Sequence, residues 1–503
     1  MRGYRATLVE RVDLGQGTTG RFHGLLHSGG RYVVTDAVSA TECARETEIL
    51  KRVAARAIEP TGGLFVSTPF DDPAYAEGFG AACAAAGVRA EEIDPAEALA
   101  REPRLNPDIT RAFEVDDASI DVWTLLWDNA RAAERHGAGI LTYHWVTDVL
   151  REGDDVAGVI CRDDRTGEEV RIEAGFTINA TGVWAGRMAD MAGCEGVRVV
   201  PGAGIMIAMN HRMVHSVINR CALPGDGDIL VPIRTVCVIG TTDSKAEDPD
   251  HLAITSDEVQ AMLDAGERLV PGFRGARALH VWVGARPLFH DDKAGEVGDT
   301  HHMSRGVALV DHAARDGVRR FLTITGGKVT TYRLMAEVVV DAMCAQIGDS
   351  RPCRTAEEPL PGSEDGGFLH LGARLEEQEE RMHDDQLVCE CELVPRRAIV
   401  DELERGGRMT LDDLRRVLRL GMGPCQGGFC TYRAAALLQA AGGVDAEEAD
   451  ELLVRFLHHR WLGIEPILYG DQARQAVLDE WIFQGLLDVE HLPGVERMAL
   501  DRA

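Results

Sequence analysis

Apolar residues in the first 350 positions come in short runs, and beyond about position 370 they fall into helical spacing. YRATLVE (residues 4–10) is a short apolar run closed by an acid and predicts a buried strand, whereas TECARETEILKRVAA (41–55) has the three-to-four spacing of a helix. GVRVV (196–200), DILVPI (228–233), VCVIGTT (236–242), GVALVD (306–311) and RFLTIT (320–325) are short and β-branched, and they predict strands of a mixed sheet. LPGSEDGG (360–367) reads as a linker of Pro, Gly and acids with nothing apolar to bury. Behind it LDDLRRVLRLGM, YRAAALLQAAG and AEEADELLVRFLHHRWLG predict helices. This divides the chain into an α/β region at 1–355, a linker at 356–384, a small domain at 385–440 and a helical extension at 441–503. No internal repeat or low-complexity segment interrupts it.

The 503 residues suffice for two or three domains with a large core. Lys+Arg 53 against Asp+Glu 82 leaves a net charge of −29, which repels nucleic acid and anionic membranes, so an anionic ligand needs local cations. Only Lys51, Lys245, Lys293 and Lys328 are lysines. Such an acidic, lysine-poor surface suits high salt, although GC-rich coding produces the same arginine bias. No apolar run reaches the ~20 residues that span a bilayer, and no leader-like segment opens the sequence. A cytoplasmic chain with free thiols is therefore expected.

Three stretches suggest a dinucleotide. A strand that ends on an acid, as at Glu10, matches the second strand of a Rossmann unit, where the acid takes ribose hydroxyls. In NATGVWAG (179–186), small residues at Ala180, Thr181 and Gly182 allow close backbone approach. TITGGKVTTYR (323–333) runs strand, Gly-Gly, helix start, and aims amides and a helix dipole at an anion or a flavin edge. The Gly-x-Gly-x-x-Gly turn belongs some twenty-odd residues before the acid, so a first strand and that turn are expected upstream of Met1.

Four of the twelve cysteines are grouped. LVCECE (Cys389, Cys391) and GMGPCQGGFC (Cys425, Cys430) form C-x-C, thirty-three residues, then C-x4-C. Two close pairs of thiolates imply a zinc or an iron–sulfur cluster.

LVERVDLGQGTTGRFHGLLHSGGRY, NATGVWAG, VGARPL and TITGGKVTTYRLMAE together resemble the FAD-dependent glycerol-3-phosphate dehydrogenases. The cysteine pairs narrow the resemblance to the large catalytic (A) subunits of the anaerobic, three-subunit enzymes. The likeness runs from residue 3 to the end. It implies a Rossmann-like FAD fold of the glutathione-reductase/D-amino-acid-oxidase type, an interleaved α+β substrate domain, and a helical BFD-like [2Fe-2S] domain. FAD would lie along Glu10, Thr18, Thr19, Arg21, His23, Gly24 and Leu26. It would continue past Val146, Ala180, Thr181 and Gly182 to Gly326, Gly327, Lys328, Val329 and Thr330. Arg31, Tyr32, Arg286, Arg305 and Lys328 would bind sn-glycerol 3-phosphate, and their converging cations would form a positive funnel. Oxidation to dihydroxyacetone phosphate would use Arg286, Lys328 and His27, although His23, His211 and His215 also compete as the base. Cys389, Cys391, Cys425 and Cys430 would hold the [2Fe-2S] cluster. Electrons would pass to partner subunits B and C and on to quinone, with the chain peripheral on the cytoplasmic face of the membrane. Two rival readings are a related flavin oxidoreductase acting on a 2-hydroxy acid or an amine, and a flavin-free electron-transfer or scaffold subunit.

Overall fold

The computed structural model describes residues 1–291, 306–381, 385–405 and 409–495. The expected first strand is β1 (Thr7–Val9). Residues 11–36 then cross the molecule as a strap of turns and short 3-10 segments, ending at α1 (Ala37–Val53). Asp36 starts that helix by accepting the Ser39 amide at 3.0 Å, and Ala40, Cys43, Leu50 and Val53 bury its apolar stripe. β2 (Gly139–Leu141) lies parallel to β1, with Leu8 opposite Ile140. β3 (His144–Glu152) and β4 (Asp155–Asp163) follow as an antiparallel pair.

β5 (Thr177–Asn179) leads into three longer strands, β6 (Val197–Met209), β7 (Val236–Gly240) and β8 (Ala278–Asp291). β6 is the spine of the large sheet, antiparallel to β8 on one side and to β7 on the other. Alternation sends Ile205, Ile207 and Val281 into the main apolar core, while Met206, Ala208 and Trp282 line the opposite face. The expected strands at 306–311 and 320–325 are β9 (Val307–Asp311) and β10 (Phe321–Gly326). β5 and β10 are parallel, and β10 hands the chain to α2 (Tyr332–Ile347).

The expected linker packs rather than dangles. Leu360 donates its amide to Val53 O at 2.7 Å and is buried beside Leu50, and Leu371–Arg381 is a helix. Leu360 is the apolar residue that the Pro, Gly and acid pattern hid.

Beyond it, β11 (Leu387–Cys389), α3 (Arg396–Glu404), α4 (Leu411–Leu418), α5 (Thr431–Ala440), α6 (Ala446–Leu462) and α7 (Gly470–Glu480) form a helical module. Cys389, Leu414, Cys430, Leu453, Phe456, Phe483 and Val489 share one core. Residues past 440 are thus part of the same packing unit.

Buried charges bolt this module to the α/β region. Arg419 meets Glu392 at 2.9 Å and Asp121 at 3.7 Å, and Arg234 meets the same two carboxylates at 3.4 and 2.5 Å. Arg416 pairs with Asp13 at 2.6 Å, and the Tyr143 hydroxyl donates to Asp413 at 2.6 Å. All twelve cysteines are free thiols, and among the described residues no helix is long and apolar enough to cross a membrane.

Candidate functional site

The residues expected to hold a dinucleotide gather at the carboxyl ends of parallel strands, where α/β sheets bind such ligands. Glu10 ends β1, half-buried, with Oε1 accepting the Val12 amide at 3.3 Å; burial raises its pKa. Val146 on β3 packs into the same cluster as Val9. At the end of β5, buried Asn179 donates to Ala185 O at 2.8 Å and Thr323 Oγ1 at 3.0 Å, and its Oδ1 accepts the Thr181 hydroxyl at 2.7 Å. That anchor leaves Ala180 and Thr181 on an open ledge, with Gly182 at φ 59°.

At the end of β10, Gly326 and Gly327 have φ of 75° and 69°. A Cβ on Gly327 would stand 2.3 Å from Met335 Sδ, so only glycine fits. Lys328 and Val329 follow, half-buried, and the buried Thr330 hydroxyl accepts the His27 amide at 3.2 Å.

The strap closes the space from the other side. Thr18 donates to Ala285 O at 2.6 Å, Thr19 and Arg21 are exposed, and a Cβ on Gly284 would stand 2.3 Å from Arg21 O. Gly24 has φ 84° against Ile233. Leu26 is fully buried in the core with Ile58 and Ile120, so it can face a cofactor only through its backbone. The open ledge, the strap and the Gly-Gly turn together fit FAD.

The expected substrate cations lie close by, but two are already paired. Arg31 meets Asp228 at 2.8 Å; burial opposes its charge, yet Asp228 outweighs burial and raises its pKa. Arg286 donates to Asp243 at 3.1 Å, Gly202 O at 3.3 Å and Thr242 O at 2.9 Å, and also to Thr241. Gly227 N donates to Thr241 O at 3.2 Å, which joins the two loops that carry these acids. Asp228 and Asp243 neutralise much of the expected funnel, and their distance along the chain from either arginine hid them from sequence reading. Lys328 Nζ donates to Ser39 Oγ at 3.1 Å and lies 4.8 Å from the centre of the Tyr32 ring. Arg305 lies outside the described residues.

The histidines separate clearly. His27 is buried, 5.3 Å from Tyr32 and 5.8 Å from His23 between ring centres, and His23 packs against Gly240 of β7. His211 and His215 follow the far end of β6: Met209 is seven residues past Gly202, the partner of Arg286, which is about 23 Å of strand. The structure removes both from the contest for the base.

The four grouped thiols come together as two pairs, Cys389 with Cys430 and Cys391 with Cys425. The Cys391 thiol and the Gly427, Gly428 and Phe429 amides hold Cys425 down at about 6. No three of the four sulfurs lie within 4.8 Å of one another. Tetrahedral zinc, with bonds of about 2.3 Å, needs all four within about 3.8 Å. Two separate pairs match two bridged irons, so the donor set fits a [2Fe-2S] cluster. A Cβ on Gly423 would stand 2.3 Å from Cys391 Cβ, which explains a glycine there.

Two neighbouring arginines escaped sequence reading because no motif marks them. Arg277, just before β8, donates to Pro424 O at 2.6 Å beside Cys425. Arg460 on α6 is 4% exposed, and among the described residues neither its Nε nor that of Arg415 finds an acceptor. His280 on β8 lies against both; burial first, then their charge, drives its pKa far down.

Residues 1–333 match the FAD dependent oxidoreductase family model, and residues 387–440 match the BFD-like [2Fe-2S] binding domain. The chain is 43% identical to the A-type subunit of the anaerobic glycerol-3-phosphate dehydrogenase of Escherichia coli K12, over 97% of this chain and 94% of that one. It is 40% identical to the A1-type subunit of the corresponding Haloferax volcanii enzyme, over 100% and 90% respectively. Among solved structures, the glycerol-3-phosphate dehydrogenase of Bacillus halodurans complexed with FAD superposes with a TM-score of 0.64 at 18% identity, covering 93% of this chain and 92% of that one. The L-α-glycerophosphate oxidase of Mycoplasma pneumoniae gives 0.54 at 18% identity, over 71% and 92%. These two likenesses establish the fold.

Proposed function

The chain belongs to the family of large catalytic (A-type) subunits of anaerobic glycerol-3-phosphate dehydrogenases, and from that premise we propose that it oxidises sn-glycerol 3-phosphate to dihydroxyacetone phosphate. The observation that carries the reading is the presence in one chain of a dinucleotide ledge and a four-thiol site of two-iron geometry. When bound, FAD accepts the hydride from C2 and the cluster carries the electrons onward one at a time.

The chain's own groups do the rest. Lys328, Arg31 and Arg286 hold the phosphate, whose oxygens match charged N–H donors. Asp228 and Asp243 fix the two guanidinium groups from behind. His27, beside Tyr32 under Lys328, takes the proton of the C2 hydroxyl. Partner subunits B and C receive the electrons and deliver them to quinone at the cytoplasmic face of the membrane; the naming of the relatives as one subunit among several supports this step.

Anaerobic visible spectra test the reading. Glycerol 3-phosphate should bleach the oxidised-flavin band, while glycerol, lactate and glycine should not. Bleaching by a 2-hydroxy acid or an amine instead would replace the substrate.

A further inference from the structure

The outer face of α7 and of the π-helical turn that continues it (Trp481–Leu486) is apolar and uncovered. Val477 is 52% exposed, Leu478 45%, Trp481 69%, Leu486 80% and Leu487 38%. Five large apolar side chains thus crowd into residues 477–487, whereas exposed ones elsewhere are mostly scattered. A patch of this kind on a soluble surface marks an interface.

Its position gives it meaning. The inner face of the same helix carries Asp479, whose Oδ1 stands 2.5 Å from where a Cβ on Gly428 would be, in the loop between Cys425 and Cys430. In that loop Phe429, next to the ligand Cys430, is 41% exposed. A body seated on the outer face is therefore about one helix diameter, ~10 Å, from the cluster loop.

The rim limits what can sit there. Asp471, Glu480, Asp488 and Glu490 surround the patch; Arg474 is paired to Asp471 at 3.4 Å and His491 to Asp488 at 2.7 Å. An acidic rim on a chain of net charge −29 repels both an anionic lipid surface and a second copy of itself.

We propose that this face docks the next electron carrier of the complex, a protein subunit with an apolar patch framed by Lys and Arg. The inference rests on the function proposed above, which supplies the cluster and the need for an exit. Aromatic anchors inside a polar rim are the usual anatomy of such contacts.

The test uses the tagged chain co-expressed with its other subunits, as parent, Trp481→Asp, Leu486→Asp, and Val38→Asp as a control on an exposed residue of α1. Flavin bleaching by glycerol 3-phosphate, cluster absorbance and reduction of ferricyanide should match the parent in all three variants. Trp481→Asp and Leu486→Asp should weaken co-purification of the other subunits about thirtyfold, the usual effect of losing a central anchor, and quinone reduction should fall with it. Val38→Asp should change neither. Salt should weaken the parent's association, as an acidic rim requires.

Retention of the subunits at parental stoichiometry by both Asp variants would overturn the proposal. So would a parent that dimerises alone through this face, or one that binds phosphatidylglycerol vesicles through it. A parent without cluster absorbance would instead bring down the proposed function, which separates the two failures.

Discussion

Replacing Arg419 by Met attacks the joint between the α/β region and the helical module. Asp121 and Glu392 each have only 2% of their side chain exposed and share two guanidinium groups. In the parent those two cations outweigh burial and hold the Asp121 carboxyl below the usual range. Arg419→Met leaves two buried carboxylates on Arg234 alone, one of them at 3.4 Å. Removing one partner from a buried ion network costs about 3–5 kcal/mol. With an m-value of about 3 kcal/mol/M, the urea midpoint should fall by roughly 1–1.7 M. Unfolding would be followed by tryptophan fluorescence and by cluster absorbance. Adding Glu392→Gln to the same chain removes the surplus negative charge and should recover much of the loss. If Arg419→Met keeps its midpoint within about 0.3 M of the parent, or Glu392→Gln makes matters worse, the joint is not held by these charges.

Other expectations are equally direct. Changing any one of Cys389, Cys391, Cys425 or Cys430 to Ala should abolish the cluster's absorbance and electron paramagnetic signal while substrate still bleaches the flavin; stoichiometric zinc without iron in the parent would contradict this. Lys328→Ala should lose about 1.5–3 kcal/mol of phosphate binding, roughly ten- to a hundredfold in kcat/KM, with turnover of unphosphorylated glycerol unchanged; unaltered kinetics would place the phosphate elsewhere. His280 has a folded pKa well below its unfolded value of about 6.5, because it is buried against Arg460 and Arg415. The unfolded chain therefore takes up the proton first, and stability is full above about pH 6.5 and falls below it. The slope from this group should approach about 1.4 kcal/mol per pH unit, and His280→Phe should flatten it; an identical slope in both proteins would exclude His280 as its source.

Motifs whose residues act through local backbone were legible in the sequence. Gly326 and Gly327 announce a left-handed turn between a strand and a helix, and the structure has both at positive φ. The C-x-C and C-x4-C spacings placed four thiols at one point, yet spacing alone left zinc and iron–sulfur open. Only the pairing of Cys389 with Cys430 and of Cys391 with Cys425 separated them. What escaped were partners from distant segments, such as Asp228 for Arg31 and Asp243 for Arg286. A carboxylate brought to an arginine by sheet topology has no local signature. The same holds for Leu360, whose slot beside Leu50 is built by α1.

The shared core of the helical module also sets a schedule for making the protein. The fourth thiol ligand is Cys430, but the core around it is completed by Phe456, Phe483 and Val489. At synthesis rates of about 5–20 residues per second, the stretch between Cys430 and Val489 takes roughly 3–12 s to appear. Through that interval the ligands are made but lack the walls that hold them. Iron and sulfide therefore enter after synthesis has passed Val489, and a fragment cut at residue 440 would present the same four thiols without a place to keep them.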